Sequence, residues 1–250
     1  MKALKIILFF ISSSFILFSC DVATQLVEDY NNSQPTALSE SEVIKGLKRA
    51  LVIGIETAVK DLSKNNAFYS NASYKILLPE EAKIITDNRN NPLLQAIGVD
   101  KMITDVEKSM NIAAERAVFK AKPIFINAIT KMSIQDGFSI LNGNEVAATA
   151  YLKKTTYQQL YNSFKPEVSK TLKQPIYQGV STQKAWGSLT SGYNQVANFV
   201  PSWNSVNTNL DDYVTKKALD ALFLEVEKEE QNIRKNPAAR VEEILRRVFG

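Results

Sequence analysis

The chain contains no histidine. That removes Ser-His-Asp and Cys-His catalysis, the usual zinc sites and the proton shuttle that most hydrolases use near neutral pH. A single cysteine, Cys20, is present. If lipid consumes that thiol, no cysteine nucleophile, disulfide or thiolate metal ligand remains, and only carboxylates, Lys, Tyr, Ser and Thr are left for chemistry. A concentrated basic surface is also missing. Once Lys2 and Lys5 are set aside with a removable leader, 28 basic residues face 26 acidic ones. The densest basic run, Arg240 to Arg247, carries Glu242 and Glu243 within it and reads as a solvated helix face. No nucleic-acid partner, metal or other cofactor is expected.

What is present begins with an address. Lys2 and Lys5 precede the apolar run Ile6 to Ile11, three serines, and Phe15-Ile16-Leu17-Phe18-Ser19-Cys20. This pattern predicts a secretory signal over residues 1–19. Its end resembles the bacterial lipoprotein box, with Leu17 three before the cysteine and Ser19 just before it, although Phe18 departs from the usual small or β-branched residue. Cys20 is the expected lipidation site and mature N-terminus, and acyl chains there would anchor the protein to a membrane. The alternative is an uncleaved anchor helix, but the apolar run is broken by serines and short of the roughly 20 residues a span needs. The expected location is the bacterial cell envelope. Asp21 after Cys20 is an inner-membrane retention signal in some lineages only, and the outer membrane is favoured.

Residues 20–38 read as a lipidated N-terminus and flexible tether, with Asn31-Asn32-Ser33-Gln34-Pro35 and little periodicity. Residues 39–250 read as one all-α domain. Ser39 and Glu42 form a capping-box pattern ahead of Val43, Leu47, Ala50, Leu51, Ile55, Ala58 and Leu62, with Asn65-Asn66 as the stop. Tyr74 to Leu78 is expected to be extended before Pro79, and Pro79-Glu80-Glu81 suits a helix start. A short helix is predicted from Pro92 to Ile97, then a long one capped by Asp100 that Pro123 ends or kinks.

The best punctuated stretch, Met132 to Phe164, reads as helix, turn, helix and is the expected packing centre. Ser133 and Asp136 make a capping-box pattern for a helix presenting Ile134, Phe138 and Leu141. Asn142-Gly143 should stop it, with Gly143 at positive φ, and Asn144 is the expected cap of a longer helix. That helix would bury Val146, Ala147, Ala150, Tyr151, Tyr157, Leu160, Tyr161 and Phe164, with Pro166 opening a further segment. Asn209 should cap a helix with Asp211-Asp212 in its first turn, and Asn236-Pro237 should separate it from a terminal helix burying Val241, Ile244, Leu245, Val248 and Phe249.

Gln174 to Leu210 has Lys184 as its only charge. Trp186, Tyr193, Phe199 and Trp203 lie there among Gly, Ser, Thr, Asn and Gln, the composition of a surface that stacks on sugars or grips a peptide. They are the candidate ligand-binding residues. The other reading is that a covering loop plugs the core with these rings.

Several of these motifs recur together. The run Met132-Ser133…Asp136…Ile140-Leu141-Asn142-Gly143…Ala147-Ala148-Thr149…Tyr151, then Phe164-Lys165-Pro166, Leu210-Asp211-Asp212-Tyr213-Val214-Thr215…Lys217-Ala218-Leu219-Asp220 and Asn236-Pro237-Ala238-Ala239-Arg240 with Val248-Phe249-Gly250 resemble one bacterial family, domain of unknown function 4197. The similarity spans roughly Ser41 to Gly250 in a single order. It implies an all-helical, exported, often lipidated protein, and no activity, cofactor or catalytic residue. Two classes of function stay open. One is a lipid-anchored binding or scaffold module with an envelope protein or glycan partner. The other is a carboxylate-dependent cell-wall hydrolase using Glu145 or Asp211 and Asp212, although adjacent Asp residues at a helix start also serve the helix dipole.

Overall fold

The computed structural model describes residues 38–90, 92, 95, 98–177, 179–197, 204–206 and 208–249. Glu40–Gly250 forms one compact unit. Among the described residues the helices are α1 (Glu40–Leu62), α2 (Lys83–Asp87), α3 (Val99–Val118), α4 (Ala121–Lys131), α5 (Ile134–Leu141), α6 (Ala147–Lys173), α7 (Thr182–Ala197), α8 (Leu210–Lys235) and α9 (Glu243–Phe249). The only paired strands among these residues are β1 (Pro175–Tyr177) and β2 (Val180–Ser181), a small antiparallel ribbon with a register irregularity. The chain is all-α, as its 3.6-residue periodicity dictates.

The body is built from α3, α6 and α8, packed on one another, with α1 laid along α8 and α4. On α6 the buried positions Ala148, Leu152, Thr156, Leu160, Phe164, Val168 and Leu172 recur every fourth residue. A single i, i+4 row is the ridge one helix presents to the groove of another. The tyrosines expected in that row, Tyr151, Tyr157 and Tyr161, flank it half-buried, and Ala150 faces solvent. Pro166 opens no new segment: α6 runs through it, with the ring on the exposed side. The missing backbone donor therefore frees only a carbonyl that water reaches.

The expected helical hairpin exists, with three corrections. Ser133 and Asp136 do close a capping box, Asp136 N–H donating to Ser133 Oγ at 3.0 Å and Ser133 N–H to Asp136 Oδ2 at 3.0 Å. Yet α5 buries Gly137 and Ile140, while Ile134 is 53% exposed. Gly143 is not at positive φ. A methyl group there would stand 2.6 Å from Ala147 Cβ and 2.9 Å from the Ser139 carbonyl, so close approach demands the glycine. Nor does Asn144 cap α6. It accepts the Val146 N–H at 3.2 Å, and the start of α6 is held from outside, Glu230 of α8 accepting the Ala148 N–H at 3.0 Å and the Thr149 N–H at 2.8 Å.

Elsewhere α3 begins at Val99, one residue before the expected cap Asp100, and Pro123 lies in the first turn of α4, where its missing N–H costs nothing. Asn66 takes φ 62° at the stop after α1, a conformation Asn tolerates. Pro79 opens a 3₁₀ turn, Glu80–Ala82, that leads into α2. The predicted helix from Pro92 to Ile97 falls largely outside the described residues. Asn209 caps α8, accepting the Asp212 N–H at 3.0 Å. In the last segment Leu245 is buried against Ala50 and Ile233, whereas Val241 is 62% exposed because it precedes α9 and so does not share its phase.

Candidate functional site

The charge-poor stretch resolves first. Its residues 182–197 form a helix rather than a covering loop, and Trp186 is 6% exposed in the main core, its indole N–H donating to the Thr208 carbonyl at 3.2 Å. Tyr193 packs half-buried against the same core. Trp186 is thereby a core ring, and Tyr193 gives part of its surface to the same core. Phe199, Trp203 and the lipidation candidate Cys20 lie outside the described residues.

The carboxylates considered for acid–base work, Glu145 or Asp211 with Asp212, are each engaged by a different partner. Glu145 is exposed and pairs with Lys235 at 2.5 Å. Asp211 accepts from Gln183 at 3.0 Å. Asp212 pairs with Lys216 at 2.8 Å and accepts from the Tyr161 hydroxyl, which together hold its carboxyl below the ordinary value. An anion so fully engaged is an anchor for α8 against α6 rather than a proton donor. Among the described residues no three carboxylates or thiols group as a metal site, and no helix is long and apolar enough to cross a membrane.

A different element gathers concave surface around itself. After α1 the chain crosses the molecule as an unpaired segment, residues 71–80, which we call the strap. Its side chains alternate, with Tyr74, Ile76 and Leu78 buried and Leu77 53% exposed, the period of an extended chain. Three polar residues of α3 at successive i, i+4 positions hold its backbone and the turn before it. Glu115 accepts the Phe68 N–H at 3.2 Å and bonds Asn66; Asn111 accepts the Ile76 N–H at 2.9 Å and donates to the Ile76 carbonyl at 2.8 Å; Glu107 accepts from Leu78 N–H. Unsatisfied buried backbone is costly, so this polar row explains how an irregular segment lies over the core. Burial raises the carboxyls of Glu107 and Glu115 above their ordinary value.

Hollows open along the strap. A cleft of 750 Å³ lies between its end, α2 and α3, floored by Leu78 and Ile103 and lined by Glu80, Arg89, Thr104 and Glu107. A groove of 360 Å³ separates the strap from α8, between Leu77 of the strap and Tyr213, Lys217 and Leu224 of the helix. A third hollow of 450 Å³ ends at Tyr74, whose hydroxyl donates to Glu225 and accepts from Lys228. Burial, with Glu225 beside it, raises that phenol and keeps it protonated. Such volumes suit ordinary ligand sites, about 300–1,000 Å³. Sequence periodicity missed this face because the extended part of the strap, residues 75–79, is too short to carry much pattern. The available signal was Glu107, Asn111 and Glu115 at four-residue spacing on a helix whose neighbouring positions are alanines and methionine.

The comparisons add membership and no activity. No curated protein and no solved structure matches the chain. One family matches residues 37–250, and it covers the four long helices, the strap and the terminal helix alike. By that match the chain belongs to the family described as Protein of unknown function (DUF4197).

Proposed function

We propose that the chain is a lipid-anchored protein of the bacterial cell envelope, facing the periplasm, whose helical body is a binding or scaffold module. The observation that carries the binding role is the strap: an extended segment fixed by buried polar side chains, with hollows of 750 and 360 Å³ on its two sides and an exposed leucine between them. Support for the anchor comes from the N-terminal sequence, a basic start, an apolar run and the sole cysteine at its end. Affinity capture from solubilised envelopes tests the reading, using the full chain and a variant with both hollows filled, Leu77→Arg with Thr104→Arg. Partners kept by the wild type and lost by the filled variant are expected. The same partners from both contradict a strap-centred site.

One observation favours a second reading, the carboxylate-dependent cell-wall hydrolase. Glu107 carries a carboxyl raised by burial and lines the larger cleft together with Glu80 and Asp100, the setting in which one carboxyl acts as acid and another stays ionised. Incubation with dye-labelled cell-wall sacculi separates the readings. Dye release by the wild type that Glu107→Gln abolishes supports the hydrolase, and no release from either supports binding.

A further inference from the structure

On the strap's outer edge, facing α8, two neighbouring backbone groups stand open beside Leu77. Ile76 commits its N–H and C=O to Asn111, the Leu78 N–H goes to Glu107, and the Lys75 N–H donates to the Asn71 carbonyl at 2.8 Å. The Leu77 carbonyl accepts the Tyr213 hydroxyl at 3.1 Å. Among the described residues nothing receives the Leu77 N–H and nothing donates to the Lys75 C=O. In an extended chain these two groups point to the same edge, opposite the one Asn111 occupies, and their two-residue spacing is that at which a facing strand exchanges hydrogen bonds. Asn111 already plays the part of such a strand on the inner edge with a single amide group.

The open edge faces the 360 Å³ groove against α8. Leu77, 53% exposed, and Leu224, 36% exposed, stand on its two walls, and charges of both signs, Lys75 and Lys217 against Glu80 and Asp220, line it. Tyr74, Ile76 and Leu78, each under 10% exposed, pin the strap so that its free edge cannot turn inward. We propose that the groove is a strand-addition site: the extended backbone of a partner peptide lies along Lys75 to Leu77, donating to the Lys75 C=O and accepting the Leu77 N–H, with an apolar side chain between Leu77 and Leu224. This rests on the binding-module reading and names its partner class. The balanced wall charges select a largely uncharged peptide, and the short edge limits recognition to a few residues, which also keeps it from pairing with other copies.

The test uses the full chain in detergent micelles and fluorescein-labelled, end-capped hexapeptides alternating leucine or valine with threonine. In the tightest binder each amide is replaced in turn by an ester, which removes one donor and leaves the protein untouched. One internal ester is expected to weaken binding about fivefold or more, the worth of one hydrogen bond, with the others near neutral. Leu77→Pro, which deletes the open N–H at a position already extended, should weaken binding more than Leu77→Ala, which keeps it, while Leu77→Pro melts no earlier than Leu77→Ala. The inference is overturned if no peptide of the series binds below millimolar, if every ester binds like its amide, or if a chitotetraose probe competes at the same groove. A peptide whose binding ignores the esters and Leu77→Pro but is lost in Thr104→Arg overturns strand addition and leaves the binding module standing. Complete absence of peptide binding removes strand addition alone, because capture from envelopes decides the binding module independently.

Discussion

Glu230 is the residue on which the junction of the two most extensively packed helices depends. It is 7% exposed, takes the first free N–H groups of α6, and receives Arg234, which also donates to the Ile140 carbonyl at 2.9 Å. One carboxylate thus caps α6, while its arginine partner closes α5. Removing a buried charge and stranding its partner costs about 3–5 kcal/mol. Glu230→Ala is expected to lower stability by that amount in urea unfolding, and Glu230→Ala with Arg234→Met should recover part of it, since no charge is then left unpaired. Three carboxylates of α3 and α8 respond to pH with a defined sign. Burial raises Glu107, Glu115 and Glu229, the last helped by Glu225 and Asp61, so the folded chain holds these protons more tightly than the unfolded chain. Stability from these groups therefore falls as pH rises from the ordinary carboxylate range through their raised values. Asp136, held down by Ser133, and Glu242, held down by Arg49, act oppositely: their contribution is present above the ordinary value and is lost as pH falls through the lowered one. Glu115→Gln should flatten the alkaline-going fall and leave the acid limb unchanged. Urea midpoints over roughly pH 2 to 8 read both limbs.

At the scale of elements, local chemistry written in the sequence was readable and chemistry borrowed from distant residues was not. The Ser133–Asp136 box is intrinsic to its helix. Ser133→Ala is expected to cost about 1 kcal/mol by thermal or urea unfolding. The caps at Asn209 and the break at Asn236-Pro237 were legible for the same reason. The start of α6 was not, because its cap is Glu230, more than 80 residues away, and no local pattern announces a capping group supplied by another helix. Gly143 was legible as a glycine site and misread in cause. If positive φ were the requirement, Asn would be tolerated there. Contact with Ala147 and the Ser139 carbonyl instead makes any Cβ costly, so Gly143→Ala and Gly143→Asn should both destabilise by about 1–3 kcal/mol, Asn no less than Ala. The rings of α7 looked like a binding surface because they lie among neutral polar residues. Helical phase carries Trp186 inward, and Trp186→Ala should cost roughly 3–5 kcal/mol as a core truncation, measured by urea unfolding. The candidate site itself was the least legible part. It is made by α3, α8 and a segment too short for periodicity, brought together only by the fold.

For the whole molecule, the proposed N-terminal address and the proposed binding role of the helical body are independent claims. Each fails by its own test. Cys20→Ser is expected to release the protein from carbonate-washed membranes, and a variant that still pellets removes the lipid anchor from the account without touching the strap. The body is tested most directly in place. A photoactivatable benzoylphenylalanine is set at Leu77 in the full chain, and for comparison at Ile134, which is equally exposed, both at 53%. The account expects a discrete cross-linked adduct from position 77 on irradiation of whole cells, absent from position 134 and lost when Thr104→Arg and Leu224→Arg fill the flanking hollows. Adducts of equal yield from both positions, or none from position 77, contradict a ligand surface centred on the strap.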